Sequence, residues 1–470
     1  MLQTLKNAWN TKEIRNKILF TILILLVYRI GTVIPVPFVR ADNFQTMIQG
    51  TILQQMNWLS GNSLGNLTIF ALGVSPYINA SIIIQLLGVV FPKLGELAKN
   101  DKDKMNLITR IVTVALAIIT AVGLYILLMN NNGLTNAATN TDNPETFWIY
   151  GIVIVACYVA GASIIMWLGE RINEKGIGNG ISMILFANIV SSIPSIIINL
   201  VSMTVDTYSY TEKAWLYGIV STVFSIALVA AIVGMFVFVI WVTGSERRIP
   251  IQYAKRVVGR KMYGGQSSNL PIKLNMTGVM PVIFASSIVV LPATIIELIK
   301  GFRGADSTSN AFFDFLDKVG NVFSQEGFVY PIVLVALIIA FSYFYTQISF
   351  DPIEVANNIK KQGGTIPGIR QGRPTAMYIK KILGKVTIVG AIFLSIVAVV
   401  PVLAGPHILH HIIEWILGGA SATVDTTTVD SLSASFAFGG TTLLIIVGVV
   451  LETFRELEAQ LTMRNYKGFL

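Results

Sequence analysis

Charged residues are scarce in this chain of 470 residues. They make up 13% of it, whereas hydrophobic residues make up 53%, and the mean hydropathy is +0.68. Soluble globular domains carry about 25% charged residues. The composition therefore excludes an ordinary soluble domain and predicts a protein that crosses a membrane many times.

Cysteine and histidine are almost absent as well. The single cysteine, Cys157, excludes an internal disulfide. The three histidines, His407, His410 and His411, lie together in HILHHIIEW, with Glu414 close behind them. This spacing would place two metal ligands on one helical face. An amphipathic helix at the membrane interface explains the same pattern more simply, so no metal site is predicted.

Catalytic signatures are missing from the predicted spans. None of them contains HExxH, GxSxG or a serine–histidine pairing. The glycines of EKGIGNGIS lack the lysine of a phosphate-binding loop, and we interpret them as a tight loop before a span. The sequence therefore predicts neither an enzyme nor a cofactor, and an intramembrane hydrolase is disfavoured.

Charge within the apolar runs is limited to Arg29, in LLVYRIGTVIP. Ion-driven carriers place acidic, basic or histidine side chains at mid-membrane, where they are costly and usually functional. Their absence argues against an ion-driven transporter but leaves a facilitator possible. For Arg29 itself we expect a structural role, either reaching towards the outer face or bonding carbonyls of a neighbouring helix.

Ten apolar runs are long enough to cross a membrane as helices, which need about 20 residues each. These runs are 18–37, 75–91, 109–129, 147–168, 182–201, 215–242, 274–299, 329–348, 384–403 and 438–454. An eight-residue apolar stub, LTIFALGV, precedes the second run and is too short to span. The first run is followed by IPVPFV rather than by a small-residue cleavage site, so we expect it to be a span and not a signal peptide.

Lysine and arginine are distributed unevenly between the two sides of the predicted membrane. With the N-terminus inside, 28 of the 34 basic residues lie in or at the mouths of the inner segments. The positive-inside rule therefore predicts that both termini are cytoplasmic. The opening, MLQTLKNAWNTKEIRNKI, is predicted to lie along the inner membrane surface as an amphipathic helix.

The predicted topology divides the chain into two halves of five spans, residues 1–201 and 215–470, joined by an outer loop at 202–214. Because five is odd, the halves would be inverted relative to each other, as in many transporters. No residue-level repeat accompanies this division, so a ten-span solute transporter stays an alternative. Two basic inner loops stand out, 243–273 and 349–383, and the first has β-prone stretches between its basic clusters.

Three uncharged polar residues lie in or at the ends of the spans. They are Gln85 in the second, Thr120 in the third and Asn275 at the start of the seventh. Hydrogen bonds between membrane helices are weak, about 0.6–2 kcal/mol. Such bonds suit a seam that must open, but three unrelated packing contacts explain them equally well.

Long motifs follow one another along the chain: FALGVSPYINASIIIQLL, MWLGERINEKGIGNGIS, YAKRVVGRKMYGGQSSNLPIKLNMTGVMPVIFASSI, ANNIKKQGGTIPGIRQGRPT and FGGTTLLIIV. Together they resemble the SecY family, the channel subunits of bacterial protein translocases, over essentially the whole chain. The resemblance implies an all-α, ten-span channel for unfolded polypeptides in the bacterial plasma membrane, with two inverted halves and a re-entrant plug helix.

The plug of this family explains the stub before the second span. Gly73 and Pro76 suit the break between plug and span, because proline cannot donate a backbone hydrogen bond. The resemblance implies a plug made of Asn62, Ser63, Leu64, Gly65, Asn66, Leu67, Thr68, Ile69, Phe70, Ala71 and Leu72.

The pore constriction of the family is a ring of aliphatic side chains from the second, fifth, seventh and tenth spans. The matching residues are Val74, Ile78, Ile181, Leu185, Ile283 and Ile445. An apolar constriction resists wetting and offers no polar group to bind a passing chain. Without the motif match, these six residues would be interpreted as ordinary core.

The resemblance also implies a lateral gate and a docking surface. In the family the gate lies between spans two and three on one side and seven and eight on the other, where Gln85, Thr120 and Asn275 fall. Signal sequences and nascent membrane helices would leave through it into the lipid. The basic loops match those that dock the ribosome or the ATP-hydrolysing motor SecA, and SecE and SecG would complete the complex. The expected docking residues are Arg247, Arg248, Lys255, Arg256, Arg260, Lys261 and Arg370.

Overall fold

A computed structural model of the chain describes residues 2–41, 44, 48, 52–130, 133–135, 144–209, 214–253, 256–258, 261–263, 267–301, 329–404 and 426–467. The three histidines and Glu414 lie outside the described residues, so their predicted interfacial helix is not addressed. Lys255 and Arg260 lie outside them too.

Ten helices in the described part, each of 16 residues or more, overlap the ten predicted spans. They are α2 (Lys12–Gly31), α4 (Ser75–Val90), α6 (Lys102–Asn130), α7 (Pro144–Lys175), α8 (Gly180–Ser209), α9 (Ala214–Thr243), α10 (Met280–Gly301), α11 (Val329–Ser349), α13 (Arg373–Ala404) and α14 (Thr426–Lys467). Four shorter helices accompany them: α1 (Leu2–Asn10), α3 (Ile52–Leu59), α5 (Pro92–Asn100) and α12 (Pro352–Lys361).

Length and composition alone mark some of these helices as spans. Within the described residues, five helical segments are long and apolar enough to cross a membrane, and the apolar helix α4, Ser75–Val90, is shorter than that. Large aliphatic and aromatic side chains on the outer faces, such as Ile119, Val233 and Trp241, are exposed. Such faces are what lipid-facing helices present.

The first helix begins and ends earlier than predicted. It starts at Lys12 after Thr11 and ends at Gly31, whereas the apolar run was placed at 18–37. The end of that run is extended chain that forms a β-bridge between Pro35 and Thr68. The amphipathic opening is therefore shorter than predicted, because only α1 precedes the break at Thr11.

The prediction that the plug segment is a helix is wrong. Residues 60–74 form consecutive turns after the short helix α3, which the sequence did not predict. Asn62 and Leu67 have positive φ angles of 66° and 48°, and Gly61 and Gly73 have φ angles of 66° and 57°. A right-handed helix does not accommodate these angles, so the segment folds back without a regular hydrogen-bond ladder.

Two small sheets occupy the basic loops. Strand β1 (Glu246–Tyr253) pairs antiparallel with β4 (Ser267–Lys273) and also with β5 (Gly364–Thr365). Strands β2 (Arg256–Val258) and β3 (Lys261–Tyr263) form a separate hairpin between them. The β-prone stretches of the first loop are thus strands, and β5 joins the second loop to the first.

The core lies where the helices of both halves meet. Helices α4 and α6 contact α10 along one line, and α8 contacts α14 along another. One large apolar cluster runs between them and takes side chains from both halves. The inverted arrangement of the halves stays a prediction from topology.

Close helix contacts depend on small residues, and Gly440 gives a test. A β-carbon there would overlap the carbonyl oxygen of Val397 on α13. We expect Gly440→Ala to lower stability by about 1–3 kcal/mol, since a packed interior tolerates overlap poorly. Unfolding in detergent micelles measures the change.

The matched control is Gly234→Ala on α9, where an added β-carbon meets nothing within 4 Å. It should be neutral or slightly stabilising, because alanine favours helix over glycine by about 1 kcal/mol. Equal losses in both variants would contradict the packing assigned to Gly440.

Candidate functional site

The six residues predicted to form a ring all belong to the central apolar cluster. Each of them is at most 9% exposed. Val74 precedes α4 and Ile78 lies in its first turn, while Ile283 lies in the first turn of α10. The cluster brings together the side chains of Val74, Ile78, Ile181, Leu185, Ile283 and Ile445.

Local sequence places the ends of two helices at this cluster. Pro76 stands at the start of α4, where a missing backbone N–H costs no helical hydrogen bond. Asn179 caps α8, because its Oδ1 accepts from the backbone N–H groups of Ile181 (3.2 Å) and Ser182 (3.3 Å). The helix starts thus fix where Ile78 and Ile181 enter the core.

The predicted plug segment packs beside the cluster and contributes to it. Phe70 belongs to the cluster, and its ring stacks on that of Tyr28 from α2 at 5.3 Å. Leu64, Leu67 and Leu72 are buried in a second apolar cluster with side chains of α6 and α7. The segment is therefore wedged between three membrane helices.

Side chains supply the hydrogen bonds that this irregular backbone lacks. Asn57 Oδ1 accepts from the N–H of Gly65 at 2.7 Å, and its Nδ2 donates to Asn62 Oδ1 at 3.3 Å. Asn188 Nδ2 on α8 donates to the carbonyl of Leu59 at 2.8 Å. Sequence reasoning missed Asn57 and Asn188, because neither stands next to its hydrogen-bond partner in the sequence.

The same segment contains GNSLG at 61–65, which matches GxSxG outside the predicted spans. The hydroxyl of Ser63 is fully buried and has no hydrogen-bond partner in the described structure. A nucleophile elbow needs an exposed serine between a strand and a helix. Here the serine lies within turns, so the match carries no chemistry. No group of three His, Cys, Asp or Glu side chains suited to a metal occurs among the described residues.

A hydrogen bond crosses the seam between α4 and α11. The hydroxyl of Tyr345 donates to Gln85 Oε1 at 2.5 Å, and Gln85 Nε2 donates to Ser81 Oγ at 2.9 Å. The ring of Tyr345 also lies 5.3 Å from that of Phe284, next to Ile283. Tyr345 was missed because a tyrosine near a span end is usually an interfacial anchor.

Thr120 lies on the seam but bonds only within its own helix. Its hydroxyl donates to the carbonyls of Leu116 (2.9 Å) and Ala117 (3.1 Å). It lines a cavity of about 50 Å³ between α3, α4, α6 and α10. Asn79 lines the same cavity, and its Oδ1 is buried without a partner in the described structure.

The placement of Asn275 at the start of the seventh span is wrong. The helix α10 begins at Met280, and Asn275 lies in the bend before it. Its side chain is 6% exposed and its Oδ1 has no partner in the described part of the chain. No hydrogen bond among the described residues joins Gln85, Thr120 and Asn275 to one another. The apolar run at 274–299 included this bend because hydropathy does not mark a helix start.

Three of the described docking residues lie on or next to the sheet of β1, β4 and β5, which we call the platform. Arg247 and Arg248 are exposed on β1, which pairs with β5, and Arg370 is exposed in the turn after β5. The hydroxyl of Thr375 holds that turn by donating to the carbonyl of Arg370 at 2.8 Å. The backbones of Arg256 and Lys261 belong to the β2–β3 hairpin.

Other charged side chains near the platform contribute to its electrostatic potential. Arg248 Nε donates to Glu246 Oε1 at 2.7 Å, with both side chains partly in solvent. Partial burial lowers the pKa of the Lys273 ammonium, and the positive charge of Arg455 lowers it further. Arg247 and Arg370 are not among the partners of the described ion pairs, so they are available to an acidic surface.

Comparison with known proteins gives a consistent result. The SecY family model matches residues 68–454. Curated proteins named "Protein translocase subunit SecY" cover the whole chain, with 100% of each protein matched. Those of Mycobacterium tuberculosis and Streptomyces coelicolor are 40% and 39% identical over 481 residues.

Solved structures share the fold at low identity. A structure titled as a protein conducting channel has a TM-score of 0.57 at 17% identity, covering 95% of this chain and 92% of the other. A SecY structure, whose title says that the plug domain stabilises the closed state and maintains a membrane seal, has a TM-score of 0.56 at 16% identity with the same coverage. Sec61 in a canine ribosome–channel complex has a TM-score of 0.54 at 16% identity, again covering 95% and 92%.

The bond between Gln85 and Tyr345 predicts an energetic coupling between α4 and α11. We expect a double-mutant cycle of Gln85→Leu and Tyr345→Phe to give a coupling of about 0.6 kcal/mol and at most about 1.7 kcal/mol, the range for hydrogen bonds between membrane helices. Reversible unfolding in mixed micelles measures the free energies.

Tyr343→Phe is the matched control, because its hydroxyl donates to the carbonyl of Gly384 on α13 instead. Its effect should add to that of Gln85→Leu without coupling. If the effects of Tyr345→Phe and Gln85→Leu are additive, this hydrogen bond does not couple α4 to α11.

Proposed function

This chain belongs to the SecY family of protein translocase subunits, and we propose that its central apolar cluster is the constriction through which unfolded polypeptides cross the membrane. The carrying observation is that Val74, Ile78, Ile181, Leu185, Ile283 and Ile445, from four helices and both halves, lie buried in one cluster. The chain is thus a protein-conducting channel, and the solute-transporter alternative is not favoured.

The chemistry of the constriction suits its task. Its six side chains are aliphatic, so no fixed polar group binds a passing polypeptide of any sequence. In the idle channel the same side chains resist wetting and impede ions. Valine and leucine at two positions alter the shape of the ring but keep it apolar.

Residues 62–72 act as the plug that closes the idle channel from one side. Their packing against α2, α6 and α7 and the contribution of Phe70 to the central cluster support this role. The non-helical backbone is acceptable at membrane depth because protein surrounds it and supplies hydrogen bonds. The plug and the ring are then two barriers in series.

The seam between α4 and α6 on one side and α10 and α11 on the other acts as the lateral gate. The bond from Tyr345 to Gln85 closes it with one weak polar contact, and Thr120 faces the cavity behind it. Signal sequences and nascent membrane helices leave by this route because their apolar cores prefer lipid. Asn275 marks the inner end of the gate.

The platform of β1, β4 and β5 docks partners at the cytoplasmic face of the bacterial plasma membrane, where both termini also lie. Exposed arginines at Arg247, Arg248 and Arg370 suit the phosphates of ribosomal RNA and the acidic surface of the motor SecA. ATP hydrolysis belongs to SecA. The small subunits SecE and SecG complete the channel complex.

Removing the plug tests the first barrier. The two ends of the segment are close together, since a β-carbon on Gly73 would lie 3.6 Å from Cα of Ser60. After deletion of residues 62–72, Gly61 can therefore be connected directly to Gly73. The channel should assemble with reduced stability, because buried leucines are lost. Its ion conductance in planar bilayers should rise above that of the parent.

Adding Ile78→Ser and Ile283→Ser should raise conductance further, because hydroxyls favour wetting of the constriction. The control pair is Ile83→Ser and Ile295→Ser, on the same two helices but exposed. A channel that stays as tight as the parent after the deletion and the Ile78/Ile283 pair would reject both barriers.

Charge reversal tests the docking platform. Arg370→Glu should strongly reduce SecA-driven preprotein transport into vesicles, because repulsion replaces attraction at the docking surface. Assembly should be unaffected, since the side chain is exposed. Lys93→Glu, an exposed inner lysine outside both basic loops, is the matched control and should transport normally. Unchanged SecA affinity and transport in Arg370→Glu would exclude the role of this residue.

A further inference from the structure

Arg29, near the end of α2, is partly exposed. Its Nη1 atom, however, is buried and has no hydrogen-bond partner among the described residues. Arginine stays protonated in proteins, so this Nη1 is a buried donor on a charged group. A buried donor without a partner is unfavourable and calls for an explanation.

Asn188 on α8 carries the complementary atom. Its side chain is fully buried, and its Nδ2 donates to the carbonyl of Leu59 at the end of α3. Its Oδ1 is buried and lacks a partner in the described structure. Two buried donors without a partner lie on α2 near Asn188, the Nη1 of Arg29 and the hydroxyl of Tyr28, and the side chain of Tyr28 interacts with that of Asn188. Of the two donors, only Arg29 is charged.

Arg29 Nη1 and Asn188 Oδ1 both lie close to Gly61, the last residue of the segment Leu59 to Gly61 that leads into the plug, which we call the plug root. A β-carbon on Gly61 would lie 2.9 Å from Asn188 Oδ1 and 3.2 Å from Arg29 Nη1. Gly61 also has a φ of 66°, which side chains disfavour. The absent side chain therefore leaves the space in which α2, the plug root and α8 approach one another.

We propose that Arg29 and Asn188 form a polar latch that holds the plug root, Leu59 to Gly61, in the closed position. The guanidinium of Arg29 donates to Asn188 Oδ1, while Asn188 Nδ2 keeps the carbonyl of Leu59. Hydrogen bonds with a charged partner are about twice as strong as neutral ones, more so where water is excluded. Arg29 and Asn188 are positioning residues, and the proposal rests on the plug function of residues 62–72.

The latch and the lateral gate join different elements of the structure. Its parts lie on α2, the plug root and α8, all within residues 1–201, whereas the bond from Tyr345 to Gln85 joins the two halves. Opening of the seam alone therefore leaves the latch intact. Displacement of the plug requires a second, separate event, and the idle channel stays sealed while the seam fluctuates.

Accessibility of the plug in the assembled complex tests the latch. The probe is Leu67→Cys in a Cys157→Ser background, because Leu67 is fully buried and Cys157 is the only other cysteine. A membrane-impermeant maleimide added from outside labels the probe only when the plug moves. Arg29→Leu and Asn188→Leu should each raise the labelling rate about tenfold, the effect of losing one charge-assisted hydrogen bond.

Two features separate a latch from general loss of stability. The double variant should label no faster than either single variant, because both changes break the same bond. Arg29→Lys should restore part of the closure, since it keeps a charged donor. Arg40→Leu, which removes an exposed outer charge, should leave labelling unchanged.

The outcomes decide between the proposals. Unchanged labelling in both single variants, or rates that multiply in the double variant, would overturn the latch. If Arg29→Leu does not assemble, Asn188→Leu and Gly61→Ala decide the question, and parental labelling in both overturns it. Faster labelling without any leak on deletion of residues 62–72 would keep the latch but reject the plug as a seal.

Discussion

Every backbone N–H and C=O at membrane depth must find a partner inside the protein, and this constraint shapes the channel. The spans meet it as helices. Residues 60–74 cannot, because their positive φ angles break any helix. Their partners are Asn57, which bonds Gly65, and the extended chain after α2, which exchanges bonds between Val36 and Leu67 and between Ile69 and Ile34. Polar residues here therefore serve the backbone of the proposed plug, and no ladder of hydrogen bonds ties that segment to a neighbouring helix.

The proposed pore ring and the seam between the halves are held by different kinds of interaction. The ring is entirely apolar and buried, so it gains from exclusion of water and has no directional contact to lose when a polypeptide enters. The seam carries the bond from Tyr345 to Gln85, which lipid tails cannot replace but which is weak between membrane helices. Phe284 touches Tyr345 and follows Ile283, so packed aromatic side chains connect the seam to the proposed ring.

Hydropathy was sufficient to place the spans, since a membrane helix is defined by the length and apolarity of its run. It failed where apolar residues are not helical. The run at 18–37 ended in chain paired with Thr68, and the run at 274–299 began in the bend that holds Asn275. The six residues matched by the family motifs lie in one buried cluster, and their role as a pore ring stays a prediction. Tyr345 and Asn188 were beyond prediction, since their partners, Gln85 and the carbonyl of Leu59, are far away in sequence and only the fold makes them neighbours.

The two lines along which the halves meet are bonded unequally, and this gives opening a direction. On the α8–α14 side, Glu456 Oε2 accepts from the backbone N–H of Gly178 at 2.8 Å, and Lys17 donates to Gln460 at 3.1 Å. Helix α14 is thereby tied to α2 and to the turn before α8 by contacts that include a partly buried main-chain donor. On the other side, the described polar contacts include the bond from Tyr345 to Gln85 and a weak one from Thr294 to the sulfur of Met56 at 3.6 Å. We therefore expect separation of the halves to begin on the side of α4 and α11 and to turn about the side of α8 and α14. In the proposed channel, that motion would open the lateral gate towards lipid.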